Sequence, residues 1–263
     1  MPIVFAGITP HTPVLLPNAP EGVHERLSDT RAALQRLEEE LYAAKPQVII
    51  VISPHTGIFT QSFTVNGSPT FTPHFTEFGD VETTRDWRGA PELAAQIAHH
   101  KDHVSLPVRS ISEESLDYGA SIPLLFLTEH NRNIKILPVG FSGLTPVDHL
   151  EFGELIKEIL VSQGIRTAVI ASGDLSHTLS ARGPGKFNPK GKEFDQTIRD
   201  LLGSKNTIGL TNLDPNLIKN AEECGYRSIL ILLGVLKNID ARFETLAYEA
   251  PFGVGYLTGL FHF

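Results

Sequence analysis

Cysteine is almost missing from this chain. Cys224 is the only one among 263 residues, so no intrachain disulfide can form and a reducing compartment fits. Long apolar runs are missing too. None approaches the roughly 20 residues a membrane helix needs. The N-terminal Met1-Pro-Ile-Val-Phe-Ala has neither the basic start nor the apolar length of a signal peptide. No membrane contact is therefore expected, and the cytoplasm is the expected location. Positive charge is in deficit, with 22 Lys and Arg against 30 Asp and Glu and a net charge of −8. That argues against a broad nucleic-acid or anionic-membrane surface, since both reward basic patches. There is no phosphate-binding P-loop, no dinucleotide glycine motif, no Gly-x-Ser-x-Gly elbow, no internal repeat and no low-complexity run.

What is present is an ordinary globular composition, 41% hydrophobic and 20% charged, in a chain long enough for a sizeable core. Short apolar runs at Ile3–Ile8, Gln47–Ser53, Val104–Arg109, Ile134–Gly140 and Ala168–Ala171 read as strands. Gln61–Gly67 alternates like a half-buried strand, and Arg242–Glu249 with Gly253–Thr258 reads as a closing strand pair. Helical spacing covers Glu21–Ala44, Pro91–His100, Ala120–Leu127, Pro146–Ser162, Phe194–Leu202, Asn212–Glu223 and Ser228–Leu236. Phe71–Gly79 and the Gly/Pro-rich Leu179–Gly191 read as loops. Strands alternating with helices predict an α/β fold. We expect a single three-layer domain over 1–263, with a central mixed, largely parallel sheet flanked by helices.

Three of the strands end in a histidine. Ile3–Ile8 runs into Thr9-Pro10-His11, and Val48–Ile52 into Ser53-Pro54-His55. Ala168–Ala171 breaks at Ser172-Gly173 and presents Asp174 and His177. Open α/β sheets bind ligands beyond the carboxyl ends of their strands. A proline stiffens the approach to His11 and to His55, and neutral imidazole suits iron, zinc, copper and nickel. Acidic candidates to complete such a site are Asp117, Asp174, Glu222, Glu223 and Glu249, among which spacing does not choose. Asp174 can orient His177 or cap the following turn. The remaining helical and loop histidines, His24, His99, His100, His103, His130 and His149, read as surface residues. In the loop after His177, Arg182, Lys186 and Lys190 can hold a substrate carboxylate or stand as a solvated loop.

Five segments carry a family resemblance: Pro10-His11-Thr-Pro, Ser53-Pro-His55, Leu116-Asp-Tyr-Gly-Ala-Ser-Ile-Pro-Leu124, Ser172-Gly-Asp-Leu-Ser-His177 and Glu223-Cys-Gly-Tyr-Arg-Ser-Ile229. In that order they resemble the class III extradiol ring-cleaving dioxygenases, in their catalytic subunit, and the Memo proteins that share the fold. The resemblance implies metal binding by His11 and His55, with Glu223 as third ligand. Cys224, which with Gly225 copies a Memo cysteine-glycine pair, is the alternative, and Glu222 and Glu249 also remain open. It implies His177 as the acid/base residue, assisted by Asp174. The dioxygenase pattern commonly reads Asp-His-Gly, whereas this chain has Asp117-Tyr118-Gly119, which gives the second active-site position to a phenol. The implied cofactor is Fe(II), with Zn(II) or another divalent ion as alternative. The implied partners are a small catechol- or aminophenol-type aromatic and O₂, with a homo-oligomer possible. The other reading is a Memo-like metal-binding protein without ring cleavage.

Overall fold

The computed structural model describes residues 2–100 and 106–263. The strands are β1 (Ile3–Thr9), β2 (Val48–Ser53), β3 (Phe63–Asn66), β4 (Thr70–Pro73), β5 (Trp87–Gly89), β6 (Val108–Ile111), β7 (Ser115–Leu116), β8 (Lys135–Gly140), β9 (Thr167–Ser172), β10 (Arg242–Glu249) and β11 (Tyr256–His262). The helices are α1 (Ser28–Ala44), α2 (Pro91–Ala98), α3 (Tyr118–Leu127), α4 (Pro146–Gln163), α5 (Pro189–Gly203), α6 (Thr207–Thr211), α7 (Pro215–Ala221) and α8 (Tyr226–Val235).

All eleven strands join one mixed, mostly parallel sheet, ordered β10-β11-β1-β9-β2-β8-β5-β4-β7, with β3 branching from β8 and β6 pairing β3. The centre, β1-β9-β2-β8, is wholly parallel. Its strands are buried on both faces, which is why they read as continuous apolar runs without alternation. Successive residues still serve opposite cores. Ile50, Ile52, Val169 and Ala171 face the layer of α2, α4, α5 and α8. Ile49, Val51, Ala168 and Ile170 face α1 and α3. This is the expected three-layer α/β architecture.

Local chemistry sets the helix limits. Thr145 and Asp148 form a reciprocal capping box at the start of α4, and Gly164 ends it at φ 64°. The expected helix from Glu21 begins as a 3₁₀ turn at His24–Leu27 and becomes α-helical only at Ser28. Several expectations need correction. The strand at Phe63–Asn66 is buried at every position rather than half-buried: β6 and β8 occupy its two edges, and Phe63 and Val65 pack in the core with α2. The Phe71–Gly79 loop contains part of β4 and a 3₁₀ turn at Thr76–Phe78. His149 is fully buried against the Phe63 ring, with its two nitrogens facing the carbonyls of Thr145 and Ser142. His103 and the start of the strand expected from Val104 lie outside the described residues.

Helices α4 and α8 pack backbone against backbone. A Cβ on Gly153 would lie 2.0 Å from the Ile231 carbonyl oxygen, and one on Gly234 would lie 2.1 Å from that of Leu150. Both obstacles are helix backbone, which cannot move aside cheaply. Gly153→Ala is therefore expected to destabilise the protein by about 3 kcal/mol, the top of the usual range for overpacking that shifts backbone. Gly164→Ala meets nothing within 4 Å and should cost only about 1–2 kcal/mol for its left-handed backbone. Urea unfolding midpoints of the two variants measure the difference.

Candidate metal centre

Parallel registry brings the three histidine-bearing strand ends together. Thr9 of β1 is level with Ser172 of β9, and Ala171 of β9 is level with Ile52 of β2. The polar residues that follow therefore emerge at one edge of the sheet. His11, His55, Tyr118, Asp174, His177 and Cys224 line one cavity of about 490 Å³ there. A second cavity of about 440 Å³, against α4, α5 and α8, has a mixed wall of apolar side chains such as Leu202, Leu233 and Phe243 with Glu151, Glu154, Lys205 and Lys237, and no histidine or cysteine among its described lining residues.

His11 is buried, and its orientation follows from a chain of hydrogen bonds. The Ser172 hydroxyl donates to the Gly119 carbonyl, so its oxygen is left to accept, and it lies 3.1 Å from His11 Nδ1. This puts the His11 proton on Nδ1 and the lone pair on Nε2. The Gly119 carbonyl is available because its partner along α3 would be the amide of Pro123, which has none. His11 Nε2 faces Cys224 Sγ at 3.5 Å. Burial, with His55 and His177 nearby, holds His11 well below the ordinary imidazole value, so the ring is neutral.

His55 is fixed from behind by Asp117. That carboxylate caps α3 at the Ala120 amide (3.0 Å) and accepts the hydroxyls of Ser53 (2.6 Å) and Thr56 (2.5 Å). Ser53 Oγ in turn accepts the His55 amide. The His55 ring lies 5.1 Å from that of His11 and 4.2 Å from Tyr118, and its buried Nε2 has no hydrogen-bond partner. Burial lowers its pKa against the opposing pull of Asp117 and Glu77. Tyr118 is pushed up to about 12, chiefly by burial, and stays a neutral phenol.

Asp174 does not orient His177. Its Oδ1 accepts the His11 amide at 3.1 Å, and its carbonyl accepts the amides of Cys224 and Gly225. Burial raises its carboxyl to about 7. The approach of residues 224 and 225 requires glycine, since a Cβ on Gly173 would lie 2.1 Å from Gly225 Cα. Cys224 Sγ sits 3.8 Å from His177 Nε2, and burial with Asp174 beside it raises the thiol well above its usual value. Burial lowers His177, opposed by Glu222.

Among the described residues, His11, Asp174 and Cys224 form a group whose possible ligand atoms all lie within 4.8 Å of one another. Glu223 is not in it. Its Oε2 accepts the Tyr226 amide at 2.6 Å, satisfying an orphan donor at the start of α8. Glu222 is exposed in the left-handed region at φ 51°. Glu249 accepts both the amide and hydroxyl of Thr30. Sequence reasoning missed Tyr256, Phe252 and Val254, which the C-terminal hairpin carries to the cavity wall. They lie more than 70 residues after His177, with no motif to mark them.

The donor set suits a transition metal. The neutral His11 imidazole, a thiol and a carboxyl converge; His55, expected as a ligand, lies outside that group but lines the same cavity, and its buried Nε2 has no hydrogen-bond partner among the described residues. The chain matches the family described as the catalytic LigB subunit of aromatic ring-opening dioxygenase over residues 6–259, and it belongs to that family. It is 27% identical to Protein CA_C1420 of Clostridium acetobutylicum over 95% of its own length, but spans only 55% of that protein. It is 24% identical to a MEMO1 family protein of Methanosarcina mazei, covering 83% of this chain and 74% of that one. A MEMO1 family protein of Pyrobaculum aerophilum, PAE0818, is 26% identical over 83% and 73%. The uncharacterized protein JW3007 of Escherichia coli K12 has the same fold, with a TM-score of 0.70 over 98% of this chain and 99% of that one at 18% identity.

Two substitutions test the supporting bonds. Asp117→Ala strips three donors of their acceptor and should cost about 2–4 kcal/mol in thermal unfolding. Ser172→Ala removes the acceptor at His11 Nδ1. It should leave the fold intact while shifting the His11 tautomer populations seen by ¹⁵N NMR.

Proposed function

We propose that this protein is a non-haem metal enzyme of the ring-opening dioxygenase type, acting with O₂ on a small catechol- or aminophenol-type aromatic. His11, His55 and Cys224 would hold the ion, with Asp174 beside it. Fe(II) is the expected metal, and Zn(II) is the alternative this donor set also accepts. The observation that carries the proposal is the convergence of His11, Asp174 and Cys224 in a cavity that His55 also lines, its buried Nε2 without a partner among the described residues. When bound, the metal supplies a Lewis acid, a template for vicinal oxygens and a redox partner for O₂.

The chain's own residues do the rest. His177, neutral because burial lowers its pKa, can take a hydroxyl proton from the aromatic at Nε2 and later return it. Tyr118 Oη can only donate or accept a hydrogen bond near neutral pH. Val14, Phe252 and Val254 line the cavity and supply apolar wall that excludes water from an aromatic ring.

A second reading, favoured by Cys224 beside His11 and Tyr118 in the second active-site position, is a Memo-like metal protein that does not open rings. Elemental analysis after reconstitution addresses the shared part. His11→Ala, His55→Ala and Cys224→Ala should each weaken metal binding at least about 100-fold, more than loss of an outer hydrogen bond does. Glu223→Gln should retain it, and metal loss confined to Glu223→Gln would contradict the ligand set. Anaerobic Fe(II) loading followed by catechols and O₂ should give yellow ring-opened product. Silence across a broad catechol panel, with metal bound, leaves the second reading.

A further inference from the structure

Asp195 is a buried carboxyl that does not line the metal-site cavity. It stands on the inner face of α5 beside Phe194, Ile198 and Leu202. A carboxylate is costly in such surroundings, and burial raises this one to about 6. Both of its oxygens are engaged. Oδ1 accepts the Ser176 amide at 2.8 Å, and Oδ2 accepts the Tyr248 hydroxyl at 2.6 Å. The C-terminal hairpin makes room for it, since a Cβ on Gly255 would lie 2.0 Å from Oδ2. Arg199, one turn along α5, lies over the Tyr248 ring instead, and no ion pair joins it to Asp195 among the described residues.

Ser176 sits between Asp174 and His177 in a segment with no regular secondary structure. Its amides therefore take partners from elsewhere in the chain. Leu175 donates to the Gly255 carbonyl, and His177 donates to that of Ala221 at the end of α7. Of the three successive amides 175, 176 and 177, only that of Ser176 is held by a side chain. The His177 ring needs this support. Among the described residues its one hydrogen-bonding neighbour is Cys224, with Sγ 3.8 Å from Nε2. The imidazole is thus aimed by the backbone it hangs from.

We propose that Asp195 is a positioning residue for His177. By holding the Ser176 amide it fixes the backbone that directs the imidazole into the cavity, and it does so without touching the metal ligands. The proposal rests on the reading of His177 as the acid/base residue. A proton-transfer group displaced by about 1 Å loses on the order of 100-fold in rate, so a single buried acceptor behind it carries weight.

The test uses the full chain loaded with Zn(II) and labelled with ¹⁵N-histidine, the His177 signals being assigned by their loss in His177→Gln. Asp195→Asn keeps an oxygen for the Ser176 amide, and Asp195→Leu removes it. Both should bind Zn(II) within about threefold of wild type. The His177 ring signals should stay in place in Asp195→Asn and shift or broaden in Asp195→Leu. Turnover of catechols with Fe(II) should then show kcat about 100-fold lower in Asp195→Leu with KM within about threefold, and recovered to within about tenfold in Asp195→Asn. Should Asp195→Leu fail to fold, Asp195→Ser takes its place, with a hydroxyl too short to reach the amide. Unmoved His177 signals in the folded Leu or Ser variant overturn the proposal, as do equal effects of Asn and Leu, or metal loss in both. Displaced His177 signals without ring opening by any form keep the positioning role and remove the dioxygenase reading. Ring opening by the Leu variant at the wild-type kcat does the reverse.

Discussion

One missing amide organises the candidate metal centre. Pro123 sits inside α3 and cannot bond the Gly119 carbonyl, so that carbonyl accepts the Ser172 hydroxyl at the end of β9. A serine committed as donor must accept from His11 Nδ1, and the imidazole then presents Nε2 to the cavity. A proline in a helix interior ordinarily costs about 3 kcal/mol. Here the lost helical bond is replaced by one that couples α3 to β9 and, through it, to the loop after β1. A missing donor in one element thus sets the orientation of a ring in another.

The second constraint is backbone proximity. Gly173 and Gly225 touch with no room for a side chain, and the Asp174 carbonyl takes two amides from the opposite segment. These contacts hold Cys224 beside His11. Behind His177 a buried aspartate does similar work. Asp195 accepts the Ser176 amide at 2.8 Å and the Tyr248 hydroxyl at 2.6 Å, which couples the 174–178 segment to α5 and β10. The cavity is therefore a junction of segments from across the chain, each pinned by polar groups that cannot be left unpaired in the interior.

The layered fold and the strand ends at His11, His55 and His177 were legible in the sequence, because doubly buried parallel strands write themselves as unbroken apolar runs. Strands of two to four residues, such as β5 and β7, are too short to show any period, and α6 is only five residues long. His149 looked solvated because its helix position is polar in pattern. Its burial comes from Phe63, on a strand almost ninety residues away. The choice between Glu223 and Cys224 turned on helix phase. Residue 223 is three before the first free amide of α8, where a carboxylate is captured as a cap, and residue 224 is turned toward His11. Sequence alone favours Glu223 over the adjacent Cys224, because nothing in it shows where α8 begins.

The electrostatics of the cluster bear on what belongs in it. Burial favours the neutral form of every member, with the Asp174 carboxyl raised to about 7, the Cys224 thiol raised well above its usual value and the His11 and His55 imidazoles lowered. Each of these shifts has desolvation as its largest cause, and like-charged neighbours add to those of His11 and Cys224. A divalent ion reverses that logic. It stabilises thiolate and carboxylate together and needs the neutral imidazole lone pairs that burial already provides. His11, His55, Asp174 and Cys224, each costly to bury in its charged form, are mutually consistent around a cation. This is why a metal accounts for them better than a hydrolytic thiol-imidazole pair, which would need the thiol lowered rather than raised.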